Sequence, residues 1–141
     1  MIIDISKPSD TIKFANDFVK RVHPWQPILL YGTLGVGKTF FTSHLIKALT
    51  NSNTDVPSPT FSILQNYTCD IGNISHYDLY RIKGEDELFE LDIDNALNNN
   101  ITIIEWPEII EDYVKENFNP ICLYFSLDKD KRIIEIKENK D

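Results

Sequence analysis

Gly32-Thr33-Leu34-Gly35-Val36-Gly37-Lys38-Thr39 is the stretch from which this 141-residue chain is best read. It fits G-x-x-x-x-G-K-[ST], the spacing of a phosphate-binding P-loop. The chemistry explains the spacing. Gly32 lets the chain leave a strand in a tight turn. Gly35 and Gly37 carry no Cβ, so the backbone of Gly35 to Thr39 can press its N–H groups against phosphate oxygens. Lys38 is a point charge for the β- and γ-phosphates, and the Thr39 hydroxyl can ligate Mg²⁺, which binds few protein groups. A helix opening at Lys38 would aim its positive dipole end at the same phosphates.

The flanks agree with that reading. Residues 27–31, PILLY, form a short apolar run with the length of a buried strand. After the loop, Phe41, Leu45, Ile46 and Leu49 recur at helical spacing.

Composition narrows the class. A chain of this length with 42% hydrophobic residues is one domain, residues 1–141, with a core of its own. No apolar run is long enough to cross a bilayer, and the N-terminus does not read as a signal peptide. Cys69 and Cys122 lie far apart without metal-ligand spacing. Both read as reduced thiols of a cytoplasmic protein, Cys122 in the core and Cys69 near a turn. The net charge of −8 argues against direct nucleic-acid binding, which wants a basic face.

In chain order, residues 1–6 read as a strand, and Ser9 as the cap of a helix with Ile12, Ala15, Val19 and Val22 at helical spacing, ending near His23 and Pro24. Residues 56–61, VPSPTF, are a rigid, hydroxyl-bearing loop that reads either as a switch segment sensing the γ-phosphate or as a proline-rich turn. Residues 62–68 and 73–80 flank a turn and predict a hairpin. Within it, Asp78 stands near a strand end, where P-loop sites keep an acid for Mg²⁺. His76 could be a base, but its place on an alternating strand favours a structural role. Residues 85–97 read as two short acidic helices or one broken helix, either a solvated face or a partner surface. Residues 101–105, ITIIE, are a buried strand running straight into Glu105, a second candidate metal ligand. Trp106 either covers the site, stacks on a partner or fills the core. A helix over 108–118 and a C-terminal hairpin, 121–127 with 132–137, complete the chain.

The combination of GTLGVGKT, SPTF, HYDLYR and IEWPE, in that order, resembles the bacterial ATPase family of tRNA threonylcarbamoyladenosine biosynthesis, TsaE, formerly YjeE. The similarity runs from the first strand to the final hairpin. It implies a small cytoplasmic, Mg²⁺-dependent ATPase, weak alone, that acts on a complex of the proteins TsaB and TsaD. The latter is the transferase that carries threonylcarbamoyl to adenosine in tRNA. It implies that Gly32 and Gly35 to Phe40 surround ATP and that Thr39 and Glu105 hold Mg²⁺. Thr60 and Asp78 would take switch-like places and Trp106 would lie beside the site. Thr11 and Arg132 would approach the nucleotide. The family loop commonly reads GDLGAGKT; Thr33 and Val36 depart from it, which opens the question of rate rather than of binding.

The expected architecture is α/β: a single P-loop NTPase-like domain with a mixed, mainly parallel central sheet, helices on both faces and a C-terminal β-hairpin. Lys38, Asp78 and Glu105 are the expected catalytic residues. Asp78 would position water or the outer metal shell, and which of the two acids meets the metal directly stays open. Two rival functions share the motif. A small P-loop kinase would want an arginine-bearing lid, and the chain has only Arg21, Arg81 and Arg132. A nucleotide-loaded docking module would hydrolyse ATP only incidentally. A GTPase would carry an N-K-x-D motif, which is absent.

Overall fold

The computed structural model describes residues 1–33, 35–51 and 63–138. Seven strands form one sheet: β1 (Ile2–Asp4), β2 (Ile28–Tyr31), β3 (Leu64–Cys69), β4 (Gly72–Asp78), β5 (Ile101–Glu105), β6 (Ile121–Asp128) and β7 (Lys131–Glu138). Their spatial order is β1-β7-β6-β2-β5-β4-β3. The four central strands, β6, β2, β5 and β4, run parallel. The outer strands join antiparallel, through the hairpins β3–β4 and β6–β7 and the β1–β7 pair. This is the expected mixed sheet with its C-terminal hairpin.

Strands β2 and β5 are buried along their whole length, β2 with apolar residues alone, because both of their faces are covered. Helices α1 (Pro8–Phe18) and α2 (Lys38–Thr50) cover one face. Ile28, Leu30, Ile101, Ile103, Ile121 and Leu123 point into that layer, against Phe14, Phe18, Phe41 and Leu45. Phe41 sits centrally, its ring 5.4 Å from Phe14, 5.8 Å from Phe18 and 5.8 Å from Phe125. Helices α3 (Glu85–Glu90), α4 (Ile93–Asn99) and α5 (Glu111–Asn117) cover the other face, where Leu29, Tyr77 and Ile104 meet Leu88, Leu97 and Val114. Period-2 alternation along each strand therefore divides the core into two layers.

Three local expectations differ. Ser9 does not cap α1. Pro8 takes the first helical position, where its missing N–H is harmless, and Asp10 accepts the Lys7 amide at 3.3 Å. The buried face of α1 is Thr11, Phe14, Ala15 and Phe18; of the expected stripe, Ala15 and Val22 are buried and Val19 packs against the core, while Ile12 is only half-buried. The helix expected over 108–118 is shorter. Trp106 adopts φ 57, Pro107–Ile109 form a 3₁₀ turn, and α5 begins at Glu111. Cys122 is buried as expected, and Cys69 closes β3 beside the Asp70-Ile71 turn; both are free thiols. Among the described residues, no helix is long and apolar enough to cross a membrane.

Candidate functional site

The site lies where parallel strands end. Glu105 ends β5 and is in register with Leu30 of β2 on one side and Asp78 of β4 on the other. In parallel α/β sheets this carboxyl edge is where ligands sit. Alternation puts His76 and Asp78 on one face of β4 and Glu105 on the matching face of β5, the face that α2 covers. Backbone bonds fix the strand ends: Leu79 N donates to Glu105 O at 3.1 Å, and Trp106 N donates to Leu30 O at 3.3 Å.

The glycine-rich loop joins β2 to α2 across this edge. Gly32 takes φ +142, and a Cβ there would lie 2.7 Å from the Phe125 carbonyl oxygen and 2.9 Å from a Val36 methyl. Only glycine fits between them. Gly37 adopts φ 105 as the N-cap, so α2 starts at Lys38 as the motif requires. The first-turn amides of α2 and its positive dipole end then face the cleft.

Gly35, Gly37, Lys38, Thr39, Phe40, Asp78, Tyr80, Glu105, Trp106 and Arg132 line this cleft. Thr11 lines an adjoining hollow with Ile5, Ser6, Pro8, Gly37, Phe40 and Arg132. The geometry thus unites most of the residues singled out in the sequence. Two it does not bring in as side chains. Val36 is buried in the core at 2% exposure, and Gly32 does not line the cleft. These two shape the loop from behind. Thr60 and the SPTF segment lie outside the described residues.

Charge within the cleft is organised around Lys38 and Glu105. Lys38 is 4% exposed; its Nζ donates to the Gly32 carbonyl and lies 3.7 Å from the centre of the Trp106 ring. Burial pushes its pKa down, while Glu105, Glu108 and Asp78 hold the charge in place. The Tyr80 ring packs at a tilt against Trp106, ring centres 4.6 Å apart. Thr39 Oγ1 donates to Glu105 Oε1 at 3.2 Å, and His76 Nε2 lies 2.6 Å from Glu105 Oε2. Asp78 accepts the Tyr80 amide at 3.1 Å, yet burial, with help from Glu105, raises its pKa above the ordinary carboxylate value.

A hydroxyl and two carboxylates around one opening are hard oxygen donors, suited to a cation such as Mg²⁺ that completes its shell with water and ligand oxygens. No group of three or more His, Cys, Asp or Glu among the described residues forms a metal cage, so any cation here would be only partly held by protein. The Lys38 ammonium and the Arg132 guanidinium supply positive charge to the same cleft. His76, expected from sequence as a structural residue or a base, contacts Glu105 at the buried end of the site. The signal that could have placed it was its i, i+2 relation to Asp78, which puts both side chains on one face.

A mixed α/β domain whose glycine-rich loop meets two acids at the carboxyl edge of its parallel strands is the class defined by fold and site together. The family model described as threonylcarbamoyl adenosine biosynthesis protein TsaE matches residues 5–134, and the chain belongs to this family. The tRNA threonylcarbamoyladenosine biosynthesis protein TsaE of Rickettsia typhi is 41% identical over 134 residues, covering 95% of this chain and 92% of that protein. Its counterpart in Rickettsia prowazekii is 42% identical, covering 96% and 94%. That of Bacillus subtilis is 29% identical over 89% of this chain and 78% of its own. The crystal structure of Bacillus subtilis YdiB is similar in fold, with a TM-score of 0.73 at 24% identity over 96% of this chain and 83% of that one.

Proposed function

We propose that the chain is a Mg²⁺-dependent P-loop ATPase required for threonylcarbamoyladenosine modification of tRNA, acting on the TsaB–TsaD complex. Membership in the family supports the pathway. One observation supports the chemistry above the rest: Thr39, on the first turn after the glycine-rich loop, is hydrogen-bonded across 66 residues of sequence to a buried strand-end carboxylate, Glu105. Lys38 stands beside them.

On this reading each side chain has a task. The loop amides and Lys38 neutralise charge that develops on the phosphates, the main lever in phosphoryl transfer. Thr39 and Glu105 would hold Mg²⁺, which would supply positive charge to offset that of the phosphate oxygens. Asp78 orients the attacking water or the outer metal shell. Its raised pKa suits a group that takes up a proton more readily than an ordinary carboxylate. Trp106 shields Lys38 from water on the cleft side. TsaB and TsaD are the expected partners, with tRNA reached through them.

Phosphate release and nucleotide-binding calorimetry test the chemistry. Lys38→Ala is expected to weaken nucleotide binding or turnover by roughly 10- to 100-fold, the loss of one charge-assisted contact. Glu105→Ala is expected to raise the Mg²⁺ concentration needed. Unchanged binding and turnover in Lys38→Ala, or an unshifted Mg²⁺ requirement in Glu105→Ala, would overturn the assignment of that residue.

A further inference from the structure

Glu105 is 1% exposed and His76 is also 1% exposed. Burying a carboxylate costs several kcal/mol unless donors meet its oxygens, on the order of the penalties for unpaired buried ions. Among the described residues, each Glu105 oxygen has one hydrogen-bond partner. Oε1 accepts from Thr39 Oγ1 at 3.2 Å, and Oε2 lies 2.6 Å from His76 Nε2. The second contact is short, as charge-assisted bonds are. It is also diagonal: His76 is in register with Ile103, while Asp78 is in register with Glu105. The imidazole thus reaches one step along the strand toward the sheet edge.

We propose that His76 is a positioning residue for Glu105: through Nε2–H it holds Oε2, fixes the plane of the carboxylate, and turns Oε1 toward Thr39 and the cleft. The proposal rests on the reading of Glu105 as a Mg²⁺-holding group and gives that group its orientation. The tautomer follows from the partners. With Oε2 as the acceptor of this contact, Nε2 is assigned as the N–H donor. Nδ1 is buried without a hydrogen-bond partner among the described residues, which an acceptor lone pair tolerates better than an N–H would. A carboxylate left free to rotate about its last bond would present either oxygen, or neither, to the cation. Partners of metal-holding groups commonly change metal affinity about 10- to 100-fold when removed.

The chemistry of the substitution separates holding from filling. A glutamine amide nitrogen sits about as far from Cα as imidazole Nε2, whereas an asparagine amide is one bond short. The experiment follows binding of a fluorescent ADP analogue while Mg²⁺ is titrated, in wild type, His76→Gln, His76→Asn and Glu105→Ala, with ligand-free melting curves beside it. His76→Asn is expected to raise the Mg²⁺ midpoint roughly 10-fold or more. It should leave binding in EDTA unchanged. His76→Gln should stay near the wild-type midpoint. A wild-type midpoint in His76→Asn, with Glu105→Ala shifted, would overturn the role of His76 alone. Equal shifts in both His76 variants, tracking equal losses of melting temperature, would overturn it in favour of simple packing. An unshifted midpoint in Glu105→Ala would remove the underlying metal assignment and His76's role with it. If His76→Asn does not fold, His76→Gln decides: a wild-type midpoint supports positioning, and a shifted one overturns it.

Discussion

At the scale of residues, the site holds charges that folding alone would not favour. Asp78 is 8% exposed, and burial is the largest cause of its raised pKa. Folded protein therefore binds this proton more tightly than unfolded protein does. The sign follows from linkage. Asp78 helps stability fully below the ordinary carboxylate value of 3.8, and that help is lost as pH rises through the higher folded value. At neutral pH the ionised group is a cost. Asp78→Asn keeps an acceptor for the Tyr80 amide and removes the charge. It is expected to raise stability at pH 7 by on the order of 1 kcal/mol, with the gain shrinking toward zero in acid, while turnover falls. Thermal melts across pH check this; a variant less stable than wild type at pH 7 would show that Asp78 is held by favourable charge contacts instead.

At the scale of elements, the loop between β2 and α2 sets the geometry, and its glycines are not equivalent. At Gly32 an added Cβ meets the Phe125 backbone at 2.7 Å, whereas at Gly37 the nearest atom is an Ile5 methyl at 3.9 Å. Both have positive φ, so both substitutions carry a backbone cost of roughly 1–2 kcal/mol. Gly32→Ala adds a clash with main chain, which cannot step aside. Urea unfolding should therefore place Gly32→Ala clearly below Gly37→Ala in stability. Equal midpoints would mean that β6 yields at Phe125. The loop was the most legible element in the sequence, because its spacing encodes backbone conformation directly. Side-chain direction was not legible: Val36 matched a phosphate-loop position but fills the core behind it. The contact between His76 and Glu105 was not legible either, because a single strand reveals its faces but not which neighbour lies opposite. The short α5 escaped because only the positive φ of Trp106 lets a 3₁₀ turn precede it.

At the scale of the whole molecule, the sheet order was not available from the sequence, although its strands, both hairpins and the two helical layers were. Local patterns specify elements and faces; the order β6-β2-β5-β4 arises from long-range pairing. That order brings Thr39, Asp78 and Glu105 together. The molecule's charge of −8 bears on its partners. Phosphate-backbone binding needs clustered cations, so the protein alone is expected not to shift tRNA in a gel at physiological salt; a tight, salt-sensitive complex would place tRNA directly on this chain. The central claim is that ATP turnover by this protein serves the TsaB–TsaD complex. The measurement that tests it most directly is ATP hydrolysis by the purified chain, alone and with a TsaB–TsaD pair from the same source. Slow turnover that rises when the pair is added is the predicted result. Fast turnover that depends on a phosphate acceptor and ignores the pair would contradict the account and favour a small kinase.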